Sequence, residues 1–297
     1  MSLRFRRAAL VVAAAVSCPL WAVACAPVDQ GGEAGSPPAG SLTPGQGGCV
    51  PAQLKTLKPG SFTFGTDQPA YAPWFSGDDP ANGKGFESAV AYAAAGKLGY
   101  RQDQVAWVRV PFSAAIQPGA KTYDADLNEF SITDERRKAV DFSAPYYDVT
   151  QAVVTTKTSP VAGATTLAAL RGAKLGAQVG TTSYDAAEKV IAPTAQISVY
   201  NNNDDAKQAL ATGQIQGLVV DLPTAFEITG AGEVPDSVIV GQVPPAGAAE
   251  QFGAVLDKGS PLTGCVSAAV AALRADGTLA KLTDQWLTRA GSARELK

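Results

Sequence analysis

Histidine is absent from all 297 residues. That excludes histidine general-base chemistry and histidine-ligated zinc within this chain, since imidazole is the side chain that titrates near neutrality and a common neutral metal ligand. A glycine-rich phosphate loop is missing too, because Gly83-Lys84-Gly85 is too short a fragment to cradle phosphates. Charge is sparse, at 17% of residues, with 24 basic side chains against 27 acidic ones. Such a balance lacks the basic footprint of a nucleic-acid binder. Carboxylate and lysine chemistry survive these exclusions, and no metal or cofactor site is expected.

What is present begins with Arg4, Arg6 and Arg7, followed by an apolar run over residues 8–24. A charged start and a hydrophobic core of this length mark residues 1–24 as an export signal and not a membrane-spanning helix. Its removal takes three arginines and no acid, moving the net charge from −3 to −6. Ala22-Val23-Ala24-Cys25 resembles a bacterial lipobox, which implies lipidation of Cys25 as the mature N-terminus. Ala22 departs from the leucine preferred there, Ala-Val-Ala is also an acceptable ordinary cleavage site, and Cys18 is a second lipidation point. Residues 25–48 read as a Gly/Pro-rich tether with a reach of roughly 25–30 Å, enough to keep a globular body beside a membrane. Two cysteines remain, Cys49 and Cys265. In an exported chain such a pair is expected to be bridged, the alternative being two buried thiols.

From residue 61 the pattern alternates between strand and helix. Residues 62–66 read as a buried strand; Phe86, Val90, Ala93, Ala94 and Leu98 recur at helical spacing over 85–98, stopped by Gly99; 105–110 is the next strand. A second set begins with a strand at 175–178, then a helix at 203–211 entered through Asn and Asp and left at Gly213, then a buried strand at 218–220. Alternation of this kind predicts α/β sheets layered with helices, in two units.

The stretch at 127–147, LNEFSITDERRKAVDFSAPYY, runs from a strand end through a polar turn into a helix start. Thr133 as N-cap leaves free backbone N–H groups there, and Arg136, one turn in, offers a two-donor fork for a carboxylate. A capped surface helix with a solvated arginine is the plainer alternative.

SIT-D-E-R followed by VDFSAPYY resembles the core of the family 3 extracellular solute-binding proteins, the amino-acid-capturing subunits of ABC importers. Further matches follow in order: GTDQPAYAPWF, GKGFESAVAYAAAGKLGY, LGAQVGTTSYD, IQGLVVDLPTA and ADGTLAKLTDQWL. After Gly-Phe-Glu the family prefers a second acid, where this chain has Ser88 and Ala89. The resemblance implies an α/β fold of two lobes, the type II periplasmic-binding-protein fold, each lobe a sheet flanked by helices and the two joined by a two-strand hinge. Lobe 1 is expected at 49–152 plus 252–297 and lobe 2 at 153–251, with crossings near 153–155 and 252–255.

The resemblance also implies a ligand site. Asp67 and Tyr71 lie on the first strand–helix loop, with Trp74 as an apolar wall, although Tyr71 and Trp74 could equally serve lobe packing. Asn128, Glu129 and Phe130 precede Ser131 at positions where the family usually places small or amide side chains, so Glu129 departs from the pattern. Arg136 matches the arginine that grips the α-carboxylate, met from the second lobe by Gln178, Thr181 and Thr182. Asp221 matches the partner of the α-ammonium. Ordinary helix caps remain alternatives for Thr181-Thr182 and, before Pro223, for Asp221.

The function expected is capture of an amino acid between closing lobes, by a monomer that works with a permease and is held to the membrane by lipid. Asp67 and Glu129 bring negative charge to the side-chain end, which favours a polar or cationic ligand over aspartate or glutamate. The alternatives are a periplasmic dehydratase of the arogenate or prephenate type, and a sensor ectodomain. A sensor would call for a transmembrane segment and signalling domain, and none follows Leu287.

Overall fold

The computed structural model describes residues 43–46, 48–287 and 293–297. The export signal, Cys25 and the tether before residue 43 lie outside the described residues. The strands run in chain order β1 (Phe62–Thr66), β2 (Val105–Arg109), β3 (Ala125–Asp126), β4 (Val140–Phe142), β5 (Tyr147–Val149), β6 (Gln151–Thr156), β7 (Leu175–Gln178), β8 (Ser198–Tyr200), β9 (Gly217–Asp221), β10 (Ser237–Val243), β11 (Glu250–Phe252) and β12 (Val255–Asp257). Among them run the helices α1 (Phe86–Lys97), α2 (Phe112–Ala115), α3 (Asp134–Ala139), α4 (Thr182–Ala186), α5 (Asn203–Ala211), α6 (Leu222–Gly230), α7 (Thr263–Ala275) and α8 (Thr278–Trp286).

Two five-stranded sheets organise these elements, in the orders β2-β1-β3-β12-β4 and β10-β6-β9-β7-β8. Strands β1, β2 and β3 are parallel, whereas β12 returns antiparallel between β3 and β4. In the second sheet β7 pairs in parallel with β8 and β9, and β6 runs antiparallel to β9 and β10. Side chains alternate across these strands with period two. Val153 and Val219 pack on one face with Leu175, Ile191 and Val240, while Ala152, Val154, Leu218 and Val220 pack on the other with Leu210 and Ile228. A sheet apolar on both faces must be covered on both, which is why its strands read as continuous hydrophobic runs.

The first sheet packs Phe62 and Phe64 against Trp74, Phe86 and the α7 residues Val266 and Val270. Its other side gathers Phe112, Phe130, Phe142 and Val255. Entry to α1 requires glycine: Gly85 has φ +98°, and a Cβ there would lie 2.4 Å from the Trp74 carbonyl oxygen. Cys49 and Cys265 form the expected disulfide, tying the segment before β1 to α7 with Cα atoms 5.4 Å apart.

A two-stranded antiparallel pair, β5 with β11, carries the chain between the sheets. Residues 153–155, expected at a crossing, instead lie buried in the middle of β6, paired to β9 and β10 on either side. The run Val153-Val154-Thr155 is β-branched throughout, which suits a strand enclosed on both sides. The crossing itself falls at exposed Thr150, between β5 and β6. Residues 293–297, expected with the first lobe, pack on the second sheet: Gln242 donates to the Arg294 carbonyl, Leu296 donates back to Gln242, and the Leu296 side chain enters that core. This return covers the open edge of β10, whose backbone groups would otherwise lack partners.

Candidate functional site

Asp67, Tyr71, Asn128, Glu129, Arg136, Gln178, Thr181, Thr182 and Asp221 come together around one cavity of about 40 Å³ between the two sheets. Trp74, Phe130 and Ser131 do not line it. Trp74 is fully buried, edge-on to Phe86, Tyr147 and Phe252, and its Nε1 donates to Thr224 Oγ1 at 2.9 Å. Its expected place as a pocket wall gives way to core packing, because an indole this large is best buried when its N–H has a partner. Phe130 lies one layer down, stacked on Phe112 with ring centroids 4.9 Å apart. Ser131 is drawn to the side by Thr182 and Glu250.

Arg136 is positioned by the start of α3, where Thr133 accepts a hydrogen bond from the Arg136 backbone N–H at 3.2 Å, as an N-cap should. The side chain is buried, not solvated. Its Nη1 donates to the Ser131 carbonyl at 2.8 Å and its Nη2 to the Gly180 carbonyl at 3.0 Å, while the guanidinium lies 5.4 Å from the centroid of the Phe112 ring. The fork thus spans from the 131 turn to the turn before α4. Burial pulls the guanidinium below its usual range, and Glu250, Asp221 and Asp185 act against that.

At the other end stand two carboxyls. Glu129 holds a left-handed backbone, φ +54°, which turns its side chain toward the second sheet. Its N–H donates to Glu87 Oε1 at 2.7 Å, and its Oε2 accepts from Thr224 Oγ1 at 3.1 Å. Asp221 occupies the N-cap position of α6 but makes no cap bond; its Oδ1 accepts from Gln151 Nε2 at 2.6 Å. The plain capping reading of Asp221 therefore fails, and the carboxylate is left to the cavity. The Glu129 and Asp221 carboxyls line the same end of the cavity, close enough for the charge of Asp221 to act on Glu129. Burial and then the charge of Asp221 raise Glu129 well above the carboxylate range, while burial and then Glu250 raise Asp221 to about 8 against the lowering by Gln151, Glu129 and Arg136. Two enclosed carboxyls this close cannot both ionise readily, so this pair holds a proton near neutral pH.

Thr181 does serve as the N-cap of α4, accepting from the Tyr184 N–H at 3.2 Å. Its neighbour Thr182 is thereby free to turn its hydroxyl to Glu250. Asp67 accepts backbone N–H bonds from Gln68 at 2.7 Å and Phe112 at 3.1 Å, which fixes the loop that carries Tyr71. The Tyr71 ring faces Lys207 of α5, whose Nζ lies 4.9 Å from the ring centroid.

The family model for bacterial extracellular solute-binding proteins, family 3, matches residues 62–289. The chain belongs to this family. It is similar to the L-arginine-binding protein of Pseudomonas aeruginosa, 29% identical over 244 residues that cover 76% of this chain and 90% of the relative. The L-cystine-binding protein TcyJ of Escherichia coli K12 is 30% identical over 221 residues, 73% of this chain and 79% of the relative. A solved structure of an ancestral arginine-binding protein bound to glutamine superposes with a TM-score of 0.65 at 29% identity, covering 76% of this chain and 97% of that one.

This solute-binding protein also uses residues that the sequence did not single out. Phe112, Ser183, Asn203, Val220 and Thr224 line the cavity, and Gln151 and Glu250 lie directly behind it. Phe112 and Thr224 carried a signal, since each lies in the first turn of a helix directly after a proline, Pro111 and Pro223. Gln151 and Glu250 carried none, because their place follows from pairing of segments far apart in sequence, β6 with β9 and β5 with β11. Contacts from one sheet's side chains to the other's, Trp74 to Thr224, Thr224 to Glu129 and Ser131 to Thr182, draw the two halves together over the cavity. Among the described residues no helix is long and apolar enough to cross a membrane.

Proposed function

We propose that this chain is the extracytoplasmic receptor of an ABC importer and captures an amino acid with a polar, preferentially cationic, side chain. The observation that carries the reading is the opposition of Arg136 to the Glu129–Asp221 pair across one enclosed cavity. An α-carboxylate takes the two-donor fork of Arg136, displacing the Gly180 carbonyl from Nη2; the α-ammonium takes Asp221. Three carboxyls, Asp67, Glu129 and Asp221, line the cavity against one guanidinium, a charge balance that favours a cationic side chain.

A cavity of about 40 Å³ has room for water and not for an amino acid, so entry requires the two halves to part and reclose. We assign lobe 1 to residues 49–150 with 252–287, and lobe 2 to 151–251 with residues 293–297 docked on it. Because Arg136 belongs to one lobe and Thr182 and Asp221 to the other, a zwitterion satisfies both sets only on closure, and binding energy becomes conformational change. The closed form is what the permease reads. Export through residues 1–24, lipidation at Cys25 and the tether hold this monomer at the membrane, and no nucleic acid takes part.

A thermal-shift screen of the twenty amino acids tests the reading. Arginine, lysine, histidine or glutamine should give the largest rise; glutamate giving the largest would overturn the charge argument. Turnover of prephenate or arogenate to an aromatic product would instead establish the dehydratase.

A further inference from the structure

Glu250 ends the tether of contacts behind the cavity. Its carboxylate accepts from Ser131 Oγ on the lobe 1 side and Thr182 Oγ1 on the lobe 2 side, two hydroxyls that are themselves 3.1 Å apart. Gln151 Nε2, on the strand that leaves the hinge, donates to its two oxygens at 3.3 and 3.1 Å. Gln151 is itself held, since its Oε1 accepts from Ser183 Oγ at 2.7 Å and its Nε2 also donates to Asp221. The charge of Glu250 is felt by Arg136, where it opposes the lowering of the guanidinium by burial.

A hydroxyl has one proton to give. While Ser131 and Thr182 spend theirs on Glu250, they offer a ligand carboxylate lone pairs only. Arg136 would then have to hold that carboxylate beside a second one, an arrangement that like-charge repulsion disfavours. On its far side Glu250 borders a separate cavity of about 350 Å³, bounded by Pro244, Pro245 and Val190, which gives its side chain room to withdraw.

Building on the amino-acid reading above, we infer that Glu250 is an internal stand-in for the ligand's carboxylate: it latches the lobes through Ser131 and Thr182 and must yield those hydroxyls when an α-carboxylate arrives. It therefore opposes binding of ligands that carry a carboxylate and not of those that lack one. In the free protein it favours closure.

Two measurements on wild type, Glu250→Ala and Glu250→Gln test this. Small-angle X-ray scattering of the free proteins should give a larger radius of gyration for Glu250→Ala than for wild type, with Glu250→Gln, which keeps an acceptor, between them. Identical radii in all three would overturn the latch, whatever the ligand proves to be. Calorimetric titration should show L-arginine bound about tenfold more tightly by Glu250→Ala, the size expected on removing a like charge next to the ligand's. Agmatine, which is arginine without its carboxylate, should gain nothing. Equal gains for both compounds, or weaker arginine binding, would overturn the competition. If neither compound binds wild type, arginine falls as the ligand while the scattering result still decides the latch.

Discussion

The first sheet and its helices enclose Glu87, Asp124, Asp126 and Arg136, whereas the fully buried polar residues of the second are Gln151, Thr155, Gln178, Ser183 and Thr224, none of them charged, with Asp221 half-buried at the cavity. Burying charge is costly unless it is paired, so the first lobe carries a stability burden that the second does not. The burden is placed with purpose at Arg136 and Glu87, which reach the cavity or position Glu129 above it. It is less easily explained at Asp126, whose two carboxyl oxygens have no hydrogen-bond partner. The first lobe is thus built against its own stability, and the second faces the cavity with hydroxyls, amides and the Asp221 carboxyl from an apolar scaffold.

Because of that asymmetry the first lobe should need outside help, and the disulfide is the largest such support. Closing a loop of 216 residues stabilises by roughly 4–5 kcal/mol in the chain-entropy model. Cys49→Ser with Cys265→Ser should lower the denaturation midpoint accordingly, measured by chemical unfolding. A loss below about 1 kcal/mol would show that the first lobe stands without it.

Next in size is Arg136. Its replacement by alanine should remove roughly 2–5 kcal/mol of ligand affinity, because the ligand carboxylate would be buried with half its partners missing. Lysine should not restore it, since a single ammonium lacks the two-point geometry. Arg137→Ala, one residue along α3 and exposed, should bind as wild type. Equal losses at 136 and 137 would misplace the carboxylate site.

The fold was legible wherever periodicity and burial coincide. The strands at 62–66 and 175–178 and the helix at 203–211 lie where alternation and Asn/Asp capping put them. Chain crossings were not, because Val153-Val154-Thr155 reads as a strand whether it enters a sheet or passes between two. At the cavity, the family pattern pointed to Arg136 and Asp221, and both line it. Glu250 was not, since nothing near it in sequence distinguishes it from a surface acid. Its role exists only through the approach of Ser131, Thr182 and Gln151.

The buried acids of the first lobe also give a pH signature. Burial raises Glu87 from the ordinary carboxylate range to about 7, partly offset by the hydrogen bonds from Tyr146 and the Glu129 N–H. A raised acid is protonated in the folded state where the unfolded chain has already ionised, so its contribution is complete below about pH 4 and is lost as pH rises toward 7. Unfolding free energy should therefore fall between pH 5 and 8, by about 3 kcal/mol at most from Glu87, and Glu87→Gln should flatten the slope. A stability that rises over this interval would contradict the assignment. Smallest of these effects, Asp126→Val should stabilise by roughly 1–3 kcal/mol, because it removes two buried acceptors that have no partner. Destabilisation would mean that Asp126 has a partner outside the protein.

The central claim, that an amino acid bridges Arg136 and a proton-sharing carboxyl pair, is tested most directly by calorimetric titration of L-arginine at pH 6 and pH 8, in buffers of differing ionisation heat. Entry of the ligand's cationic groups at Glu129 and Asp221 should expel the shared proton. Binding should then release close to one proton at pH 6 and strengthen with pH, approaching tenfold per unit below the value of about 8 at which Asp221 titrates. Heats independent of buffer together with an affinity independent of pH would contradict it.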